Sequence, residues 1–225
     1  MSRTLVFFLV IGTLGLAILL TTLGAMTLPN LMGWFLFISG LIYLFGVLIV
    51  YWFRRIEFWR PRAKGAMIKE ERSDRSFWFI VIGMVAAFYL SPLEYLLFEG
   101  ILPRTFSMQI LGLSLILLGS ALFIWARCAL GQFYSGHVSV IEGQPLVQSG
   151  PYQIVRHPAY AGYLLIALGL ALGYSSLAGL VAILTLLLPS LLYRVNVEER
   201  MLFEHFGEAY RRYVDKSKRL IPGIW

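Results

Sequence analysis

The chain has 225 residues, 59% of them hydrophobic and only 14% charged, with a formal net charge of +7. Soluble domains carry about 45–50% apolar and about 25% charged residues. Composition therefore excludes an ordinary water-soluble domain and makes the bilayer the expected solvent, in line with a mean hydropathy of +0.75.

Six apolar segments follow one another at 4–28, 31–53, 77–97, 107–127, 159–173 and 176–193. The first four approach the ~20 residues that a spanning helix needs. The 4–28 run is longer than a signal-peptide core of ~7–15 residues, so it is expected to remain as the first span. Segments five and six are shorter and are separated only by Gly173, Tyr174, Ser175 and Ser176, which predicts a tight helical hairpin. The expected fold class is all-α, a polytopic transmembrane helical bundle of about six spans. Five is the alternative, with one of the last two segments re-entrant or strongly tilted.

The loop at 54–76 holds Arg54, Arg55, Arg60, Arg62, Lys64, Lys69, Arg72 and Arg75, and seven basic residues lie from Arg194 onward. The connections near Pro29, at 98–106 and at 173–176 contain only Arg104. Six spans put every basic segment on one side, so both termini and the basic loops are expected in the cytoplasm. Topology and anionic lipid then account for the positive charge without nucleic acid. The 54–76 loop has no apolar periodicity and reads as a solvated connector. Gly169 and Gly173 form a small-xxx-small pair that lets a neighbouring helix approach closely.

The loop at 131–158 is rich in glycine and proline and leads into Arg156-His157-Pro158. Pro158 suits the first position of a helix, with His157 at or beside its N-cap. The exposed amides of that helix start favour an anionic group, and Arg156 would add a bidentate contact to it. Tyr152 and Tyr160 bring aromatic faces able to stack on a purine or attract a sulfonium. The competing reading is an interfacial anchor, because arginine and tyrosine gather at membrane interfaces in general.

The second polar cluster begins at Arg194. Arg194 and Glu198 are four apart and share a helix face, whereas Glu199 lies about 100° around and must address another partner. Leu202, Phe206, Tyr210 and Tyr213 continue an apolar stripe. The segment from Tyr193 onward therefore reads as an amphipathic helix lying at the cytoplasmic membrane surface. Its blander reading is an ordinary surface ion pair, worth a few tenths of a kcal/mol.

One cysteine, Cys128, excludes an intramolecular disulfide and a cysteine-based zinc site, and His137, His157 and His205 share no HxxxH or HExxH spacing. No metal site is expected. The chain also lacks a GxGxxG motif after a strand, which removes the sheet-based cofactor-binding enzymes.

Taken together, Leu146-Val147, Gly150-Pro151-Tyr152, Arg156-His157-Pro158-Ala159-Tyr160, Gly162, Arg194, Glu198-Glu199, Phe206-Gly207, Tyr210, Tyr213 and Leu220-Ile221-Pro222 are similar to the isoprenylcysteine carboxyl methyltransferase family and its bacterial relatives. The resemblance implies an S-adenosylmethionine pocket lined by Leu146, Val147, Tyr152, His157, Pro158, Tyr160 and Glu198, and Arg156 at the helix start is expected to join it. It implies that Arg194 contacts the methyl acceptor; Arg194 and Glu198 are the expected catalytic pair, with Glu199 expected on the substrate side. It also implies an N-terminal membrane part at 1–130 and a catalytic region at 131–225. Gln132 stands where many bacterial relatives carry arginine, a departure at the substrate end of the loop.

Methyl transfer from a sulfonium is an in-line displacement that needs positioning and exclusion of water. A carboxylate acceptor, with a pKa near ~4, needs no base. An amine or thiol would need Glu198, Glu199 or His137 to take a proton. The leading expectation is a membrane methyltransferase acting on the carboxylate of a prenylated-cysteine-like or other lipid-like acceptor. A phospholipid amine or small-thiol methyltransferase is the alternative, and an inactive scaffold or a transporter is the alternative from another class. A transporter should show charges at mid-membrane or repeated halves, whereas the charges here sit at span ends. An apolar acceptor tail is expected to arrive sideways, between spans with small residues such as Gly162 and Gly169.

Overall fold

The computed structural model describes residues 15–24, 26, 35, 38–41, 67–70, 76–98, 101–134 and 139–223. The chain divides into two compact units, Met1–Trp59 and Arg60–Trp225. The boundary expected at 130 falls inside the second. In the first unit, the described stretch of helix α1 (Gly15–Gly24) is apolar. Its Leu16, Ala17 and Leu20 are buried, and the Thr21 hydroxyl returns to the Ala17 carbonyl at 2.8 Å. Most of the expected spans 4–28 and 31–53, and most of the 54–76 loop, lie outside the described residues.

The second unit is mostly helical. Helices α2 (Ser76–Leu97), α3 (Phe106–Leu130), α4 (Pro158–Gly173) and α5 (Leu177–Phe206) form its membrane-type body. Phe79–Leu97, Phe106–Phe133 and Leu177–Phe206 are long and apolar enough to cross a bilayer. The core between them holds Ile80 and Ala87 of α2, Ala167 and Ala171 of α4, and Ile183, Leu187 and Leu191 of α5.

One element departs from the all-α expectation. Strand β1 (Met67–Glu70) pairs antiparallel with β2 (Ser139–Ile141), with an irregularity between Met67 and Lys69. Val140 and Ile141 are fully buried β-branched residues, and Gly143 at φ 72° turns the chain after them. A pair this short carries no periodicity that a sequence window can detect.

Helices α3 and α4 meet along a glycine seam. A Cβ at Gly119 would stand 2.7 Å from the Gly162 carbonyl oxygen, and one at Gly169 would stand 2.6 Å from the Gly112 carbonyl oxygen. Such backbone-to-backbone approach is what small residues permit between apolar helices. Gly162 and Gly169, beside which the acceptor tail is expected to arrive, face the backbone of α3.

The expected hairpin is present. Helix α4 ends at Gly173, Ser175 takes φ 52°, and α5 starts at Leu177. Glu94 of α2 holds the turn. Its carboxylate accepts from the Ser176 hydroxyl at 2.6 Å and from the Ala178 amide at 2.8 Å, at the positive end of α5.

Helix α5 corrects the expectation that a separate surface helix begins near Arg194. The helix runs on through Phe206 with one π turn at Ile183–Leu187, where the Leu188 amide bonds the Ile183 carbonyl. That turn widens the helix just before Pro189, which cannot donate to the preceding turn. The break comes instead at Gly207 (φ 52°, ψ −125°), and α6 (Glu208–Lys216) follows. The apolar stripe from Leu202 to Tyr213 is thus divided between two helices.

Candidate active site

Helix lengths position the site. Sixteen residues give α4 about 24 Å, whereas thirty give α5 about 45 Å. The hairpin fixes their shared end, so the last turns of α5 run past the start of α4. Arg194 comes level with Tyr160, and Glu198 and Glu199 come level with His157.

Tyr160 is the centre of this arrangement. Its hydroxyl donates to Glu198 Oε2 at 2.9 Å and accepts from Arg194 Nε at 3.1 Å. The His157 ring stacks against the Tyr160 ring at 5.7 Å and 16°, and its Nδ1 lies 3.7 Å from Glu198 Oε2. Arg194 and His157 are each 4% exposed, whereas the Glu198 side chain is 31% exposed. A dry cation and a carboxylate open to solvent are therefore joined through one phenol. The His157 Nε2 atom is buried without a hydrogen-bond partner.

Behind this cluster lies a second ion group around Glu199, whose side chain is 7% exposed. Glu199 Oε1 accepts from Arg156 Nε at 2.8 Å, Oε2 meets Arg219 Nη2 at 2.8 Å, and His157 Nε2 stands 3.5 Å from Oε1. Arg156 Nη1 donates to the carbonyls of Val214, at 3.2 Å, and Ser217. The guanidinium expected to grip a bound anion is thus engaged with Glu199 and the C-terminal backbone. Burial explains this, because a desolvated guanidinium and carboxylate must each be paired. Glu199, expected on the substrate side, sits inside the same group.

The segment before α4 is held in the same way. The Arg156 amide donates to the Lys218 carbonyl at 2.7 Å, and the His157 amide to the Arg219 carbonyl at 3.0 Å. Tyr213 Oη donates to the Tyr152 carbonyl at 2.6 Å. Burial pushes the Tyr213 phenol up to about 12 and the Tyr152 phenol well above its ordinary value, with the Glu198 charge adding to the latter. Both hydroxyls stay protonated at any physiological pH.

The remaining candidates are more loosely placed. Pro158 is buried in the first turn of α4. Leu146 and Val147 are partly buried in the extended stretch before the 3-10 turn Gly150–Gln153. Gln132 is exposed.

Three residues received no role from sequence. Buried Tyr134 shares a hydroxyl hydrogen bond with Tyr163, and the Tyr163 ring stacks on Phe123 at 5.1 Å. Tyr163 follows Tyr160 by three positions, a spacing that could have flagged it. Arg219 gave no signal, because its partner Glu199 lies across two helix ends.

The family model described as phospholipid methyltransferase matches residues 107–209. Protein-S-isoprenylcysteine O-methyltransferase B of Arabidopsis thaliana is 29% identical over 144 residues, 61% of this chain and 71% of that protein. The protein-S-isoprenylcysteine O-methyltransferase of Saccharomyces cerevisiae is 32% identical over 117 residues, 51% of this chain and 49% of that one. The solved structure of a eukaryotic intramembrane Ras methyltransferase, an isoprenylcysteine carboxyl methyltransferase, superposes with a TM-score of 0.59. It is 21% identical, and the match covers 92% of this chain and 73% of that one. At that identity the likeness speaks for the fold.

Proposed function

We propose that this chain, which is similar to isoprenylcysteine carboxyl methyltransferases, is an integral-membrane methyltransferase of that family and uses S-adenosylmethionine to methylate the carboxylate of a prenylated-cysteine-like or other lipid-like acceptor. The observation that carries this reading is the Tyr160 hydroxyl bridging Arg194 and Glu198. One phenol ties a buried cation, suited to an anionic acceptor head, to an accessible carboxylate, suited to the cationic cofactor.

The residues present fit the cofactor. Glu198 offers a partly exposed acceptor for an ammonium or ribose hydroxyls. The Tyr152 and Tyr160 rings offer faces for a purine or a sulfonium. The start of α4, with Pro158 in its first turn and no side-chain cap from His157, favours a carboxylate. When bound, S-adenosylmethionine supplies an electrophilic methyl group on sulfur. Leu146, Val147 and Pro158 would wall the pocket and keep water out.

Arg194 would hold the acceptor carboxylate in line, and Tyr160 would fix the Arg194 side chain in that position. A carboxylate is ionised at neutral pH, so no residue has to remove a proton. We assign the catalytic work to 131–225, with that region and both termini facing the cytoplasm, where the water-soluble cofactor arrives.

A second reading draws on the name of the matching family, phospholipid methyltransferase. An amine acceptor would need a base, and Glu198 stands nearest to solvent for that task.

Cofactor binding tests the proposal. Titration calorimetry on protein purified in detergent should show S-adenosylmethionine binding. His157→Ala and Tyr152→Ala should each weaken it by roughly 1–3 kcal/mol while remaining folded. Unchanged affinity in both variants would move the pocket elsewhere.

A further inference from the structure

The C-terminal segment does more than follow the last membrane helix. After the break at Gly207, α6 turns Tyr210 and Tyr213 into the protein, where both are buried. The chain then lies parallel to 154–157. The Lys218 amide donates to the Ile154 carbonyl at 3.3 Å, and the Lys218 and Arg219 carbonyls take the Arg156 and His157 amides. These bonds fix the backbone immediately before the first turn of α4. Leu220 is buried against Ala161 and Val195, which anchors the end of the segment between the two site helices.

Arg219 adds a side-chain contact to this clasp. It occupies Glu199 Oε2 while Arg156 occupies Oε1. Two guanidiniums therefore hold one carboxylate, and the His157 Nε2 atom stands 3.5 Å away, outside hydrogen-bond reach of a well-formed contact. His157 stacks on Tyr160 while Glu199 is held by these other partners. Without Arg219, Oε2 would lose that partner, and after Arg156 the closest nitrogen to the buried carboxylate is His157 Nε2.

On the cofactor reading above, we infer that residues 214–220 form a clasp that orders the cofactor side of the site, and that Arg219 is its positioning residue, acting through Glu199 on His157. The acceptor side, at Arg194, is held by the Tyr160 hydroxyl and meets this chain of contacts only through the stacking of the Tyr160 ring on His157. Loss of Arg219 should therefore separate the two ligands.

The test uses the full chain purified in detergent, with S-adenosylmethionine affinity, the KM of each ligand and Tm as readouts. Arg219→Ala should weaken cofactor affinity about tenfold or more, the size of one lost charge-assisted hydrogen bond, and leave the acceptor KM in place. Arg219→Lys should recover most of the loss, since one N–H contact is involved. Arg211→Ala, on the exposed face of α6, should change nothing.

Unchanged cofactor affinity in folded Arg219→Ala overturns the proposal, as does an equal loss of both ligands together with a fall in Tm. If Arg219→Ala does not fold, Arg219→Lys and Arg219→Gln decide. Equal cofactor affinity in those two overturns the proposal, which requires the charge. A wild-type chain that fails to bind the cofactor removes the reading and the proposal together. Binding by the wild type with no effect at Arg219 removes only the proposal.

Discussion

Two adjacent acids on α5 do different work, and substitution separates them. Glu198 is open to solvent and shares Tyr160 with Arg194, whereas Glu199 is buried between Arg156 and Arg219. Glu198→Gln keeps a carbonyl oxygen for the Tyr160 hydroxyl, so the fold should persist while methyl transfer is lost. Glu199→Gln leaves buried Arg156 without its counter-charge. It should cost about 3 kcal/mol, at the low end for a broken buried pair because Arg219 is partly exposed. Thermal unfolding in detergent beside a transfer assay checks both. A stable, active Glu199→Gln or an active Glu198→Gln would contradict this division. Spacing alone made part of it legible: Arg194 and Glu198 lie one turn apart, and Glu199 points elsewhere. The partners of Glu199 were not legible, because Arg156 and Arg219 reach it only after the chain has turned at Gly173 and again at Gly207. For the same reason Arg156 looked like a ligand-binding group in the sequence and is engaged by the protein itself in the structure.

The α3–α4 seam is the most demanding contact between elements, since it leaves no room for a side chain. Gly119→Leu would press a Cβ to within 2.7 Å of the Gly162 carbonyl oxygen and force the helices apart. Overpacking of this kind costs about 1–3 kcal/mol, and more where both sides are backbone. Folded yield and Tm in detergent should fall, whereas Leu118→Ala, on the exposed face, should leave both nearly unchanged. A normal Tm for Gly119→Leu would show that the seam is looser than described. The hairpin itself was legible, because Gly173, Ser175 and Ser176 interrupt an apolar run with turn residues. The cap from Glu94 was not, since a lone acid near the end of α2 carries no sign of the helix it serves. The continuation of α5 past Arg194 was also hidden: charge suggested a surface helix, while the only strong helix breaker before Gly207 is Pro189, absorbed by a π turn.

At the scale of the molecule, the basic residues at 54–76 and beyond Arg194 set a direction across the membrane. Gly65→Cys in a chain freed of Cys128 should label from the cytoplasmic side, and labelling from the opposite side would reverse the orientation. On the proposed orientation the cofactor arrives from water, while Gly162 and Gly169 face the backbone of α3. Hydrophobic composition made the membrane class legible, and a short set of motifs pointed to residues that the structure brings together around Tyr160. What the small residues face was not legible, because it depends on which of them a neighbouring helix already fills. The central claim is carboxyl methylation, and the chemistry of the transferred methyl group tests it most directly. Purified protein would be given methyl-labelled S-adenosylmethionine with a prenylated cysteine analogue bearing a free carboxylate, and separately with phosphatidylethanolamine vesicles or a small thiol. The account predicts label in the prenylated analogue as a methyl ester that mild alkali releases as methanol, and its loss in Arg194→Ala, with poor rescue by Arg194→Lys because a point charge does not reproduce a planar fork. Alkali-stable label found only on the lipid amine or the thiol would contradict it.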